Sequence, residues 1–123
     1  MKIILAIGMG SFLGGISRYL LSLYIQQKFS SSFPFGTLVV NIIGCFLIGI
    51  ILGLTDKGNL TQEWRLFFAT GIIGGFTTFS AFSGETINML QDGQLWYAIL
   101  YIAVSLIVGL IATFIGISII KIL

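Results

Sequence analysis

Histidine is absent, cysteine and proline each occur once, and charged residues fill only 8% of the 123 positions. Each scarcity removes a class of function. Without histidine, the chain lacks the commonest metal ligand and the usual proton shuttle near neutral pH. With Cys45 alone, neither an intrachain disulfide nor a thiolate metal set can form. Cys45 itself reads as a small apolar helix residue. A net charge of +2 without a basic cluster gives nucleic acid nothing to bind. No nucleotide motif, nucleophile–base pair or metal set is present, so the chain is not expected to be an enzyme.

The shortage of charge also excludes a soluble domain, which carries about 25% charged residues. Here 57% of residues are hydrophobic, and that much apolar surface aggregates in water. The bilayer is the matching solvent. A helix needs about 20 apolar residues to cross it, so four crossings with short loops consume residues 1–123 as a single transmembrane domain. The reading is an all-α membrane protein with helices at about 3–24, 34–54, 62–90 and 95–120. Lys2 is a thin positive region with no small-x-small cleavage site after it, so the first segment is expected to remain as a helix.

The connections read as polar turns. Gln26 to Ser32 forms the first, with Ser32 as N-cap and Pro34 in the first turn of the second helix. Asp56-Lys57-Gly58-Asn59 forms the next. Asn59 or Thr61 caps the third helix, and Glu63 lies near its positive end. Gln91-Asp92-Gly93 forms the last, with Asp92 as a cap for the fourth helix. Small residues recur four apart at Gly10/Gly14, Gly49/Gly53, Gly71/Gly75 and Ala112/Gly116, a spacing that lets membrane helices approach closely. Lys2, Lys57, Arg65 and Lys121 fall on one side of the membrane, against Lys28 and Arg18 on the other, so charge sets orientation only weakly.

The third segment departs from an ordinary span. Gly74-Gly75-Phe76-Thr77-Thr78-Phe79-Ser80 is poor helix sequence. A break near its middle would free backbone groups at bilayer depth, where they are tolerated only around a cavity or ligand. The competing reading is a packing kink with hydroxyls bonded back to their own helix. Phe79 and Phe82 share a helix face, either as core or lipid-facing rings or as positive ring edges offered to an anion. Asn41 is an interhelical hydrogen bonder or a pore donor. Arg18 is an intramembrane charge that snorkels, satisfies carbonyls or pairs with Glu85. Tyr101 and Ser105, one turn apart, form a polar track or bond between helices.

Three pieces carry a family resemblance: Gly14-Gly15-x-x-Arg18-Tyr19, Gly36-Thr37-Leu38-x-Val40-Asn41-x-x-Gly44, and Gly71-x-x-Gly74-Gly75-x-Thr77-Thr78-Phe79-Ser80. One lies in each of the first three helices, and together they resemble the Fluc (CrcB) family of fluoride channels. The resemblance implies a fluoride-selective channel exporting fluoride passively across the bacterial inner membrane. It implies an antiparallel, dual-topology homodimer with two pores, with the lipid bilayer and fluoride as its partners. It makes Phe79 and Phe82 the pore aromatics, with Asn41 and Ser80 beside them and Tyr101 and Ser105 as the polar track. Arg18 and Glu85 become the charged vestibule positions. The backbone carbonyls of Gly74 and Thr77, from both subunits, would hold a structural sodium ion. Two departures stand out: Ala81 where the family often has Thr, and Gly109 where a hydroxyl would lengthen the track. The nearest alternative, a small four-helix multidrug or cation exporter, calls for a glutamate embedded in the first helix, and this one has none.

Overall fold

A computed structural model describes residues 1–123. It is helical, without strands, and four helices are long and apolar enough to cross a membrane: Lys2–Phe29, Phe35–Asp56, Gln62–Gln91 and Leu95–Ile122. We call Lys2–Phe29 α1 and Phe35–Asp56 α2. The third span is built in pieces: α3 (Gln62–Arg65), a π-helical stretch (Leu66–Ile73), α4 (Gly74–Phe76) and α5 (Phe79–Gln91). Leu95–Ile122 is α6.

The helix ends differ from the sequence expectation. α1 continues through Gln26, Gln27 and Lys28 to Phe29, where a polar loop was expected. A helix leaving the hydrocarbon can carry polar residues without unwinding, because its own backbone bonds are complete. The extension places Arg18 well inside α1. Ser32 does not cap α2. Pro34 itself occupies the cap position, with no side-chain bond to the helix, and Gln26 Oε1 accepts the Gly36 N–H at 3.1 Å instead. Asp92 does not cap α6 either; it closes α5, while Gln94 precedes α6. Thr61 does cap α3, accepting the Trp64 N–H, with Glu63 in that first turn. The two tight turns depend on glycines in the left-handed region, Gly58 (φ +73°) and Gly93 (φ +77°).

The small-residue pairs define which helices meet. α1 packs against the π-helical stretch and α4, and α2 packs along α6. At the first crossing, a Cβ on Gly14 would strike the Ile72 carbonyl oxygen, and one on Gly75 would lie 2.6 Å from the Ser11 carbonyl oxygen. At the second, a Cβ on Gly49 would strike the Thr113 carbonyl, and one on Gly116 the Phe46 carbonyl. In lipid, such backbone-to-backbone approach supplies the van der Waals contact that holds helices together. Phe33, Leu38, Met89, Ala98 and Tyr101 form a separate apolar cluster at one end of the bundle, with Phe82 packed against it.

These crossings predict a contrast. Gly14→Ala should lower the stability of the detergent-solubilised protein by about 1–3 kcal/mol, the usual range for overpacking. Gly8→Ala, with open space around the new methyl, should be neutral or gain up to about 1 kcal/mol from helix propensity. Equal unfolding midpoints for the two variants would show that the α1 crossing is looser than described.

Candidate functional site

Thr77 and Thr78 interrupt the third span. Their backbones are extended, at φ −88°, ψ 155° and φ −150°, ψ 117°, so the chain bends between α4 and α5. The sequence explains the location. Gly74 and Gly75 weaken the helix just before it, and two β-branched residues come next but one.

The backbone groups released there are redirected one by one. The Thr78 N–H donates to Asn41 Oδ1 at 2.9 Å, and Asn41 Nδ2 donates to the Thr78 carbonyl at 3.1 Å. The Asn41 amide thus pairs with both backbone groups of Thr78, as a strand neighbour would. The Thr78 hydroxyl accepts the Ala81 N–H at 3.1 Å and caps α5. Both readings of the hydroxyls are realised. Thr77 bonds back to the Ile73 carbonyl at 2.9 Å, whereas Thr78 serves the bend.

The bend takes the helical donors from the last carbonyls before it, and for two of them the donor is redirected to a named side chain. The Gly74 carbonyl would accept from the Thr78 N–H, which goes to Asn41. The Thr77 carbonyl would accept from the Ala81 N–H, which goes to the Thr78 hydroxyl. Next to them, Arg18 Nε donates to the Gly75 carbonyl at 3.2 Å. A guanidinium is therefore bound at the carbonyl end of α4, the negative end of a helix.

The bend separates two cavities, and Thr78 lines both. The first, about 420 Å³, is walled by Asn41, Gly74, Thr77, Phe79, Phe82 and Ser105, with Cys45 among the rest. The rings of Phe79 and Phe82 lie 5.6 Å apart, and Phe79 is 78% exposed on the single chain. The second, about 340 Å³, is polar and holds Arg18, Ser22, Gln26, Thr37, Ala81 and Glu85. Glu85 does not bond Arg18. Its carboxylate accepts from the Thr37 hydroxyl at 2.6 Å and from the Tyr101 hydroxyl at 2.7 Å.

The structure therefore gathers Asn41, Phe79, Phe82, Ser105, Gly74 and Thr77 around one space and Arg18 with Glu85 around the other. Ser80 lines neither; it is exposed, 3.1 Å from the Thr78 hydroxyl. Tyr101 is fully buried behind Phe82, with ring centroids 5.0 Å apart, so it and Ser105 do not form one continuous lining. Sequence reasoning gave no role of their own to Thr37 or Gln26, and did not foresee that Thr78 pairs with Asn41. Thr37 stands one turn before Asn41, and that spacing was the available signal. No three of His, Cys, Asp and Glu converge, so the oxygens available to a cation here are neutral ones, of carbonyl, hydroxyl and amide groups.

Known proteins resemble this chain along nearly its whole length. Residues 5–117 match the family described as "CrcB-like protein, Camphor Resistance (CrcB)". A Flavobacterium psychrophilum protein named "Fluoride-specific ion channel FluC" is 46% identical over 122 residues, covering 98% of each chain. Proteins of the same name from Thermus thermophilus and Shewanella halifaxensis are 46% and 41% identical. Those alignments cover 91% and 94% of this chain, and 88% and 94% of the relatives.

The Asn41–Thr78 pairing makes a local prediction. Asn41→Leu leaves two backbone groups unpaired, each costing about 1–3 kcal/mol where water is excluded. The Thr78 amide should then exchange its hydrogen much faster, with a lower unfolding midpoint for the protein. Thr55→Val, which removes only a bond from a helix to its own backbone, should leave Thr78 exchange unchanged. Slow Thr78 exchange in Asn41→Leu would refute the pairing.

Proposed function

The chain belongs to the CrcB family of fluoride channels, and from that premise we infer that it is a multi-pass protein of the bacterial inner membrane that conducts fluoride passively, and is not an enzyme. The observation that carries this is the bend at Thr77–Thr78. It borders a cavity lined by the Asn41 amide, the hydroxyl residues Thr77, Thr78 and Ser105, and the rings of Phe79 and Phe82 among aliphatic side chains, with no carboxylate.

Fluoride must lose water to cross, and the lining offers substitutes. Asn41 Nδ2 carries two N–H donors. One is committed to the Thr78 carbonyl, leaving the other for an anion. The Ser105 hydroxyl adds a donor, and Phe79 and Phe82 offer their positive ring edges. Neutral donors can bind a small anion without trapping it, as conduction requires. Arg18 in the second cavity attracts anions toward the bend. Thr37 and Tyr101 occupy the Glu85 carboxylate oxygens, which lessens its repulsion of a passing anion. Ser80, at the start of α5, stands outside both cavities on the single chain, and its part in the path depends on the partner subunit.

The working unit in this reading is an antiparallel homodimer of dual topology with two pores. Two features support it: the weak bias of Lys and Arg across the membrane, four against two, and the exposure of Gly74 and Phe79 on the single chain. A donor-poor carbonyl facing lipid is costly, and a second copy covers it. The Gly74 and Thr77 carbonyls suit a sodium ion shared between subunits, because both have lost their helical donors. A bound cation would raise the positive potential felt by a nearby anion. The exporter reading is not favoured; the relatives are named fluoride channels, and the first cavity holds no acidic residue.

In liposomes, the purified protein should release fluoride rapidly and chloride negligibly. Phe79→Ile and Phe82→Ile should each slow fluoride efflux on the order of tenfold, the scale of one lost aromatic contact. Proton-coupled efflux of organic cations, with no fluoride release, would favour the exporter.

A further inference from the structure

α1 carries a polar stripe at four-residue spacing, Arg18, Ser22 and Gln26, and all three line the second cavity. Gln26 does more than line it. Its Nε2 donates to the Ser31 carbonyl at 2.7 Å and to the Phe33 carbonyl at 3.1 Å, while its Oε1 accepts the Gly36 N–H at 3.1 Å. One side chain thus satisfies three backbone groups of the α1–α2 connection. It also supplies the cap that Pro34 does not. One turn earlier on α1, Ser22 presses on the same point, since a Cβ on Gly36 would lie 2.5 Å from the Ser22 carbonyl oxygen and 2.6 Å from its hydroxyl. The first turn of α2 is therefore held in place by two successive turns of α1.

The next residues of α2 give that clamp its importance. Thr37, next to Gly36, donates to Glu85 on α5. Asn41, one turn on, pairs with both backbone groups of Thr78. Each bond crosses to the third span, and each requires α2 to keep its axial register. Sliding α2 by a single residue, about 1.5 Å, would break both bonds of the Asn41 pairing, whose lengths are already 2.9 and 3.1 Å. Gln26 bonds neither Asn41 nor Thr37, yet it fixes the segment that carries them.

We propose that Gln26 is a positioning residue for ion conduction: by pinning the start of α2 it sets the register in which Asn41 holds the Thr77–Thr78 bend and Thr37 holds Glu85. The proposal rests on the fluoride-conducting reading above. Its consequence is that Gln26 governs how well each open channel conducts, and not only how many channels fold. Loss of the clamp lets α2 shift and the Asn41 amide leave its place between Thr78 and the first cavity.

The test is the unitary fluoride current in planar bilayers, because a purely structural role changes the number of active channels and leaves the unitary current alone. Gln26→Leu removes all three bonds and should lower the unitary current on the order of tenfold, the equivalent of one misplaced hydrogen-bonding group. Gln26→Glu keeps an acceptor for the Gly36 N–H and loses the two donors. It should give an intermediate current, and it serves in place of Gln26→Leu if that variant does not fold. Gln27→Leu, at an exposed neighbouring position, should match the wild type. Unitary currents in the Gln26 variants equal to wild type, with fewer channels or not, would overturn the proposal. A wild-type protein that carries no fluoride would instead overturn the conduction reading on which it rests.

Discussion

A backbone inside a bilayer has no water to fall back on, so every N–H and C=O that leaves a helix must find a partner in the protein. The third span violates helical geometry at Thr77 and Thr78, and the rest of the structure is arranged around that violation. Asn41 pairs with Thr78, the Thr78 hydroxyl takes the Ala81 N–H, and Arg18 binds the Gly75 carbonyl. α2 carries Asn41 at the right height because its first turn is tied to α1 through Gln26 and Ser22. The close glycine crossings keep α1 against α4 and α2 against α6. The Gly74 and Thr77 carbonyls, having lost their helical donors, are where the proposed cation or second copy of the chain would supply partners.

The same arrangement explains how a chain poor in fixed positive charge can handle an anion. A lysine at the narrowest point would hold fluoride too firmly. An amide already fixed on one side by the Thr78 carbonyl has a defined orientation and a spare donor. Arg18 is kept one cavity away, its guanidinium anchored to backbone, so in the proposed path its charge would draw anions toward the bend without closing around them. Glu85, the nearest carboxylate, is restrained by Thr37 and Tyr101. Attraction and release are separated in space by Thr78.

The four spans were legible because length and apolarity alone decide which segments cross lipid. Their ends were less so. Gln26, Gln27 and Lys28 have loop-like polarity, yet they lie in helix, since at the membrane surface polarity no longer marks where a helix stops. The weak helix sequence from Gly74 to Thr78 pointed to the site. What it could not show was the partner, because Asn41 and Thr78 stand 37 positions apart and only the fold brings an amide against that peptide unit. The π-helical turn from Leu66 to Ile73 has no sequence signature of its own. The spacing of Tyr101 and Ser105 left a polar track or bonds between helices open; Tyr101 bonds across to Glu85 beneath Phe82, and Ser105 lines the first cavity. Of the partners open to Arg18, the structure shows a backbone carbonyl, that of Gly75, while Glu85 takes the Thr37 and Tyr101 hydroxyls.

The central claim is that the bend held by Asn41 is where fluoride sheds its water. Crystals of the protein grown with sodium fluoride, compared with crystals in which the halide is replaced by a bulky anion, test it directly. The account predicts fluoride-dependent density in the cavity bounded by Asn41, Ser105 and the two phenyl rings, within hydrogen-bond reach of the Asn41 amide, with Thr77 and Thr78 extended in both forms. Density confined to other parts of the protein, or a third span that is continuous helix through those threonines, would contradict it.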